Sequence, residues 1–313
     1  MKRAVLLLAT LAMVLLTGGW TSLRDLTALE VFDRTEPEGV YRVGDHLVQA
    51  EPQLEPAMLD HAAQVFQSVY DTCLTESQGR VWLAVIPGKH AFLAGDRPSL
   101  DYRALTEGLV DRAPFLTPID LSGVLTLDHY YRTDAHWRQE TLAPVAALLT
   151  EAMGATPPEE TGQTHPFTTD FRGNYLRAVE LPLPGDDFGY ITNNWTEACS
   201  VTACDLLGGL SPGMVYDFAA AWGRDPYDLF LSGAQGLLMV ENAAATTDRE
   251  LILFRDSFAS SLTPLLLGSY ARITLVDLRY LPSQLLGEYV DFHGQDVLFL
   301  YSSLLLNNSL SLR

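Results

Sequence analysis

Two short stretches of this chain carry residue types that can do covalent chemistry together. One is Leu251-Ile252-Leu253-Phe254-Arg255-Asp256-Ser257-Phe258, where four apolar residues stop abruptly at Arg-Asp-Ser. The other is Tyr130-Tyr131-Arg132-Thr133-Asp134-Ala135-His136-Trp137, with an acid and a histidine two positions apart. A serine hydroxyl is a weak nucleophile until a base takes its proton, and histidine does this near neutral pH. A carboxylate then holds the imidazole in the right tautomer and stabilises the imidazolium. Ser257 as nucleophile, His136 as base and Asp134 as orienting acid would together attack an ester. Each stretch alone has a plainer meaning: Asp256 or Ser257 caps the next helix, Asp134 caps another, and His136 is a surface or capping histidine. Only the two together favour chemistry.

Elements must bring these stretches to one place. The apolar runs Val81–Ile86, Leu237–Val240, Leu251–Phe254, Ile273–Asp277 and Val297–Tyr301 suit strands covered on both faces. Pro56–Leu74 repeats apolar residues every three or four positions, the signature of an amphipathic helix. Tyr102–Val110, Arg138–Met153 and Phe258–Tyr270 read as further helices, and Phe115–Leu121 as a short strand. Gly154 stands in the usual stop position. Strands alternating with helices predict an α/β fold with a mainly parallel sheet flanked by helices. Ser257 then lies outside the carboxyl end of a strand, near the free N–H groups of a helix. Residues 155–236, rich in Gly, Pro, Asp and aromatics, read as an irregular insertion over that core.

Lys2 and Arg3 precede an apolar run from Ala4 to Leu16, the layout of an export signal. Residues 1–20 are read as a signal peptide or an uncleaved anchor, leaving 21–313 as one domain outside the cytoplasm. The net charge of −19, from 39 acidic against 20 basic residues, excludes a phosphate backbone as a natural partner. Cys199 and Cys204 would close a small loop in an oxidising compartment and leave Cys73 over; three plain thiols fit as well. No metal-ligating or nucleotide-binding motif is present, so no cofactor is expected.

The stretch from Tyr130 to Trp137 resembles the signature of the DHHW family and of the related alginate O-acetylation proteins, SGNH-like proteins whose Asp-x-His motif precedes the serine. Arg255-Asp256-Ser257-Phe258, Leu262–Leu266 and Val276-Asp277-Leu278-Arg279-Tyr280 are similar to that family's serine block and following strand. Phe171-Arg172-Gly173-Asn174-Tyr175-Leu176 resembles its middle glycine block more loosely, and Pro98-Ser99-Leu100-Asp101-Tyr102 is also similar. Ala135 departs from the second-position histidine of the DHHW name. The resemblance implies an SGNH-hydrolase-like fold and roles for Ser257, His136 and Asp134 as nucleophile, base and acid. It implies Gly173 and Asn174 as oxyanion-hole candidates, and Arg132, Arg255 and Trp137 as pocket residues; packing would equally explain Trp137, and pairing with carboxylates Arg255. It leaves Asp128-His129 structural.

The activity so implied is acyl transfer, as O-acetyltransferase or acetylesterase, on a cell-envelope or secreted glycan, with a membrane acyl-donor protein as partner if it is a transferase. The contrasting reading is an envelope binding or assembly protein that keeps the SGNH-like shell without catalysis. Lipid-ester hydrolysis at a membrane surface would use the same three residues. A Ser257 oxygen more than about 6 Å from the His136 ring would favour the silent protein, because catalytic contacts lie near hydrogen-bond reach.

Overall fold

A computed structural model describes residues 39–50, 53–75, 80–93, 100–158, 162–179, 182–205 and 209–313. The expected export segment, residues 1–20, lies outside the described residues, as do Pro98 and Ser99. Among the described residues no helix is long and apolar enough to cross a membrane.

A hairpin of β1 (Val40–Val43) and β2 (His46–Gln49) comes first. The centre is an eight-stranded sheet. Its parallel half runs β4 (Leu116–Ile119), β3 (Val81–Ile86), β12 (Asp296–Ser302), β10 (Glu250–Arg255) and β11 (Arg272–Val276). Three antiparallel strands complete it: β9 (Leu237–Asn242), β7 (Cys199–Cys204) and β8 (Leu210–Gly213). The parallel strands alternate their side chains between two apolar layers, as a period of two requires. Leu251, Leu253, Leu298 and Leu300 face one layer. Ile252, Phe254, Val297 and Phe299 face the other.

Each layer is closed by helices. On the first side lie α3 (Ala143–Ala152), through Val145, Ala146 and Leu149, and α7 (Phe258–Leu266), through Ala259 and Leu262. On the second lie α1 (Pro56–Val69) and α2 (Tyr102–Arg112), where Phe66 meets the Phe299 ring at 4.4 Å between centroids. Two of them, α3 and α7, are shorter than their periodicity suggested, whereas α2 runs past Val110 to Arg112 and α1 continues as a π-helical turn over Tyr70–Leu74. Pro144 sets the start of α3, its fixed φ and missing N–H suiting the first turn, and Gln139–Thr141 form a separate 3₁₀ turn. The α7 helix ends at Leu266 and gives way to a 3₁₀ turn over Leu267–Ser269.

The segment expected to be irregular is more ordered than its composition indicated. It holds the antiparallel ribbon of β5 (Gln163–Phe171) and β6 (Asp186–Thr192), the short helices α4 (Asn174–Val179), α5 (Asn194–Ala198) and α6 (Phe218–Ala221), and both β7 and β8. Periodicity missed β7 because only Val201 of its six residues is buried, so no apolar run marks it. Cys199 and Cys204 are the two ends of this strand, roughly 17 Å apart at a strand's rise per residue. That separation rules out the small disulfide loop, and all three cysteines are free thiols.

Candidate active site

The serine is placed by the sheet. β10 ends at Arg255 in the middle of the parallel half, and Ser257 takes the N-cap position of α7. Its hydroxyl makes no capping bond. Asp256 does that work: one carboxylate oxygen accepts from Phe258 N at 3.1 Å and the other from Ser302 N at 2.8 Å. A carboxylate directly ahead of the serine thus satisfies the helix start and leaves the Ser257 oxygen free to point elsewhere. It points to His136, whose Nε2 lies 2.7 Å away.

The acid and the histidine are placed by a loop. Tyr130 and Trp137 pair as an isolated antiparallel bridge, and Tyr131 N donates to His136 O at 3.1 Å. The six residues between that pair form a tight excursion with Asp134 near its tip. Asp134 Oδ1 accepts from both His136 N at 2.8 Å and His136 Nδ1 at 2.6 Å. At a spacing of two, one carboxylate oxygen reaches both the backbone and the ring of the same histidine, and this gives the Asp-x-His pattern its physical content here. The second oxygen accepts from Asn174 N at 2.6 Å.

Burial opposes ionisation of Asp134, but His136 and these N–H donors outweigh it and hold its pKa down to about 2. Burial also opposes a charged His136; Asp134 outweighs that too, with smaller help from Asp225 and Asp256, so the imidazole pKa lies above its ordinary value. An ionised Asp134 makes Nδ1 the protonated nitrogen. Nε2 is then the acceptor for the Ser257 hydroxyl.

The other residues singled out from sequence have different places. Gly173 N donates to Thr133 Oγ1 at 3.1 Å, and a Cβ at Gly173 would lie 2.4 Å from Asp134 Cβ and 2.5 Å from Thr133 O. Glycine is there because two backbones pass in contact. Asn174, besides its N–H on Asp134, accepts from Ala135 N at 3.0 Å through its side-chain oxygen. The backbone N–H groups of both residues are thus turned to the Asp134 loop. Arg132 is bound through Nε to Asp186 at 2.9 Å and through Nη2 to Gly185 O. Trp137 is fully buried and donates to Phe258 O at 2.9 Å. Arg255 is also fully buried, its guanidinium turned to Ser260 Oγ at 3.2 Å and Gln235 O at 3.4 Å. None of these five lines the cavity into which Ser257 opens. His129 bonds Thr126 through Nδ1 at 2.9 Å and closes the 3₁₀ turn Leu127–His129.

That cavity has a volume of about 550 Å³ and is walled by Ser257, Phe258, Arg279, Leu305, Asn308 and Ser311, among others. Arg279 is the arginine present there, held by Asp277 in a two-pronged pair at 2.9 and 2.6 Å. Three further residues escaped the sequence reading. Asp186 accepts from Arg132 N, Thr133 N and Thr133 Oγ1, pinning the loop from β6. Lys89, buried, donates to Leu47 O at 2.6 Å and Arg132 O at 3.1 Å; burial drives its pKa down to about 7 against the pull of Asp134 and Asp186. Tyr227 lies flat on the His136 ring. None sits in a motif, and only a contact across the fold reveals each. Among the described residues no cluster of His, Cys, Asp and Glu is arranged to hold a metal ion.

A parallel sheet with the serine at the tip of a central strand, and an Asp-x-His loop laid against it, is an α/β architecture of the SGNH-hydrolase-like fold class. Solved structures agree with that class. A DHHW family protein from Eubacterium siraeum superposes with a TM-score of 0.68 at 18% identity, over 87% of this chain and 93% of its own. Bacillus cereus PatB1, solved with a sulfonyl adduct, gives 0.67 at 18% identity over 85% and 95%. The O-acetyltransferase domain of Pseudomonas putida AlgJ gives 0.50 at 14% identity over 86% and 92%. The fold is therefore one shared with a DHHW family protein, PatB1 and an O-acetyltransferase domain, in line with the resemblance in the two motifs. No protein-family model matches the sequence, and no curated protein does.

Proposed function

We propose that this chain is a serine acyl-transfer enzyme, an O-acetyltransferase or acetylesterase, acting on a glycan outside the cytoplasm. The observation that carries the reading is the 2.7 Å contact between Ser257 Oγ and His136 Nε2, with His136 Nδ1 on Asp134 at 2.6 Å. A silent shell has no need of that alignment, and 2.7 Å is far inside the separation that would have favoured one. In the proposed reaction Ser257 Oγ attacks the ester carbonyl carbon while its proton passes to His136 Nε2. The bond to the leaving oxygen then breaks, and His136 returns the proton to that oxygen. A sugar hydroxyl, or water, next gives its proton to His136 and attacks acyl-Ser257; as the acyl–oxygen bond to the serine breaks, His136 Nε2 returns that proton to Ser257 Oγ. The N-terminal end of α7 sets the positive end of its dipole beside the oxyanion formed at Ser257, while its first N–H groups are already held by Asp256 and Ser257. The amide and hydroxyl side chains Gln49, Asn308 and Ser311 along the cavity supply the mixed donors and acceptors that sugar hydroxyls need. A transferase of this kind draws its acyl group from a membrane acyl-donor protein.

Labelling with phenylmethylsulfonyl fluoride tests the reading, with turnover of p-nitrophenyl acetate measured beside it. The expected result is a sulfonyl adduct mapped to Ser257 and turnover abolished in Ser257→Ala. A raised His136 pKa keeps the base protonated to higher pH, so kcat/KM should climb with pH through a midpoint above about 6.5. An unlabelled Ser257, with equal rates in protein and variant, would return the chain to the binding-protein reading.

A further inference from the structure

The imidazole of His136 is enclosed by two rings from distant parts of the chain. Tyr227 stacks on one face with centroids 3.9 Å apart and planes 13° from parallel. Phe258, the residue after the serine, lies at 4.7 Å and 49°. Tyr227 is itself only 4% exposed, so its ring has little freedom. Its hydroxyl shares a 2.7 Å hydrogen bond with Ser261 Oγ, one turn along α7 from Ser257. Its backbone is anchored as well: Asp225 Oδ1 accepts from Tyr227 N at 3.0 Å, and Asp225 Oδ2 accepts from Arg177 at 2.7 Å. Arg177 belongs to α4, the helix whose first residue holds Asp134. Tyr227 therefore touches the base and is fastened to the helix of the nucleophile and to the helix behind the acid.

Asp134 holds the ring of His136 by one edge and leaves its tilt to its neighbours. A stacked tyrosine removes that tilt, and the electron-rich face of its ring attracts the charge the imidazole gains on taking a proton. We infer that Tyr227 is a positioning residue of the acyl-transfer site, keeping the His136 ring in line with Ser257 Oγ and stabilising its imidazolium. This rests on the function proposed above. The charged groups around His136 are Asp134 on its own loop, Asp225 and Asp228 on the turn that carries Tyr227, and Asp256 at the end of β10. A substitution at 227 changes none of these side chains and keeps the backbone N–H that Asp225 holds, so a shift in His136 that Tyr227→Phe does not share reports the ring.

The test uses the full chain with Tyr227→Phe, Tyr227→Leu and pentafluorophenylalanine at position 227. His136 is titrated through its ring proton by NMR, and kcat and KM for p-nitrophenyl acetate are followed against pH. Tyr227→Leu should lower the His136 pKa by about half a unit to one and a half units and kcat by about tenfold, with KM within about twofold. Tyr227→Phe should keep both near the parent values. The fluorinated ring keeps the shape and reverses the polarity of the face, so it too should lower the pKa, even if Tyr227→Leu fails to fold. An unmoved His136 titration in both the leucine and the fluorinated proteins overturns the inference, as does a loss confined to KM or shared equally by Tyr227→Phe. Should the parent protein show no Ser257-dependent turnover, the acyl-transfer reading falls, while the titration still decides whether the stack tunes His136.

Discussion

The parallel half of the sheet and the chain between Leu127 and Phe230 hold their shares of the site by different means. Ser257 stands at the end of β10, where every residue from Leu251 to Arg255 is buried and neighbours on both sides are in parallel register. Its position follows from apolar packing and a backbone ladder. Asp134 and His136 stand on a loop in which no strand longer than a single bridge exists. Their position follows from individual hydrogen bonds: Asp186 on Thr133, Asn174 on Asp134, Lys89 on Arg132. A packed sheet spreads its precision over many small contacts, whereas a hydrogen-bonded loop concentrates it in a few atoms. The first should lose stability before function when damaged, and the second function before stability.

Three substitutions press on that difference. Asp134→Asn keeps the shape but cannot hold the Nδ1–H tautomer, and kcat should fall by about 10⁴-fold with the fold intact by circular dichroism. A loss of less than tenfold would mean that the loop does not orient the base. Gly173→Ala pushes a methyl into Thr133 O and Asp134 Cβ, so the acid must move by about an ångström to restore ordinary contact. About 10²-fold in kcat is expected from such a displacement, with the sheet core unaffected in hydrogen exchange. An unchanged rate would show the loop to be more yielding than its contacts imply. Leu253→Ala, in the middle of β10, should cost about 2–5 kcal/mol in urea unfolding yet leave kcat within a few-fold at a temperature where the protein is folded. A large fall in kcat there would erase the contrast between the two regions.

The same contrast decides what could be read from sequence. Val81–Ile86, Leu251–Phe254 and Val297–Tyr301 announce themselves because a strand buried on both faces must be apolar throughout. Ser257 was visible because such a run ends in Arg-Asp-Ser, and Asp134 with His136 because their spacing lets one carboxylate serve the other residue twice. Arg255 was misplaced for a reason the strand itself contains: as the last residue of β10 it is still inside the sheet, and only the residues after it reach the cavity. Gly173 and Asn174 lie against the Asp134 loop, and a short motif cannot say whether a backbone N–H faces the substrate or the acid. Tyr227, Lys89 and Asp186 left no local trace. A ring on a ring, or an amine on two carbonyls, is a relation between segments dozens of residues apart, with no period or cap to mark it.

Asp256 carries a consequence for how the cavity can vary. Its two oxygens grip the first turn of α7 and the backbone at Ser302, where the wall over residues 302–311 begins. The reactive oxygen and the rim that sizes the substrate are thereby hinged on one side chain. A change of width at that rim is transmitted to the height at which the serine stands, so breadth of substrate choice and speed of reaction cannot be adjusted separately on this side of the site.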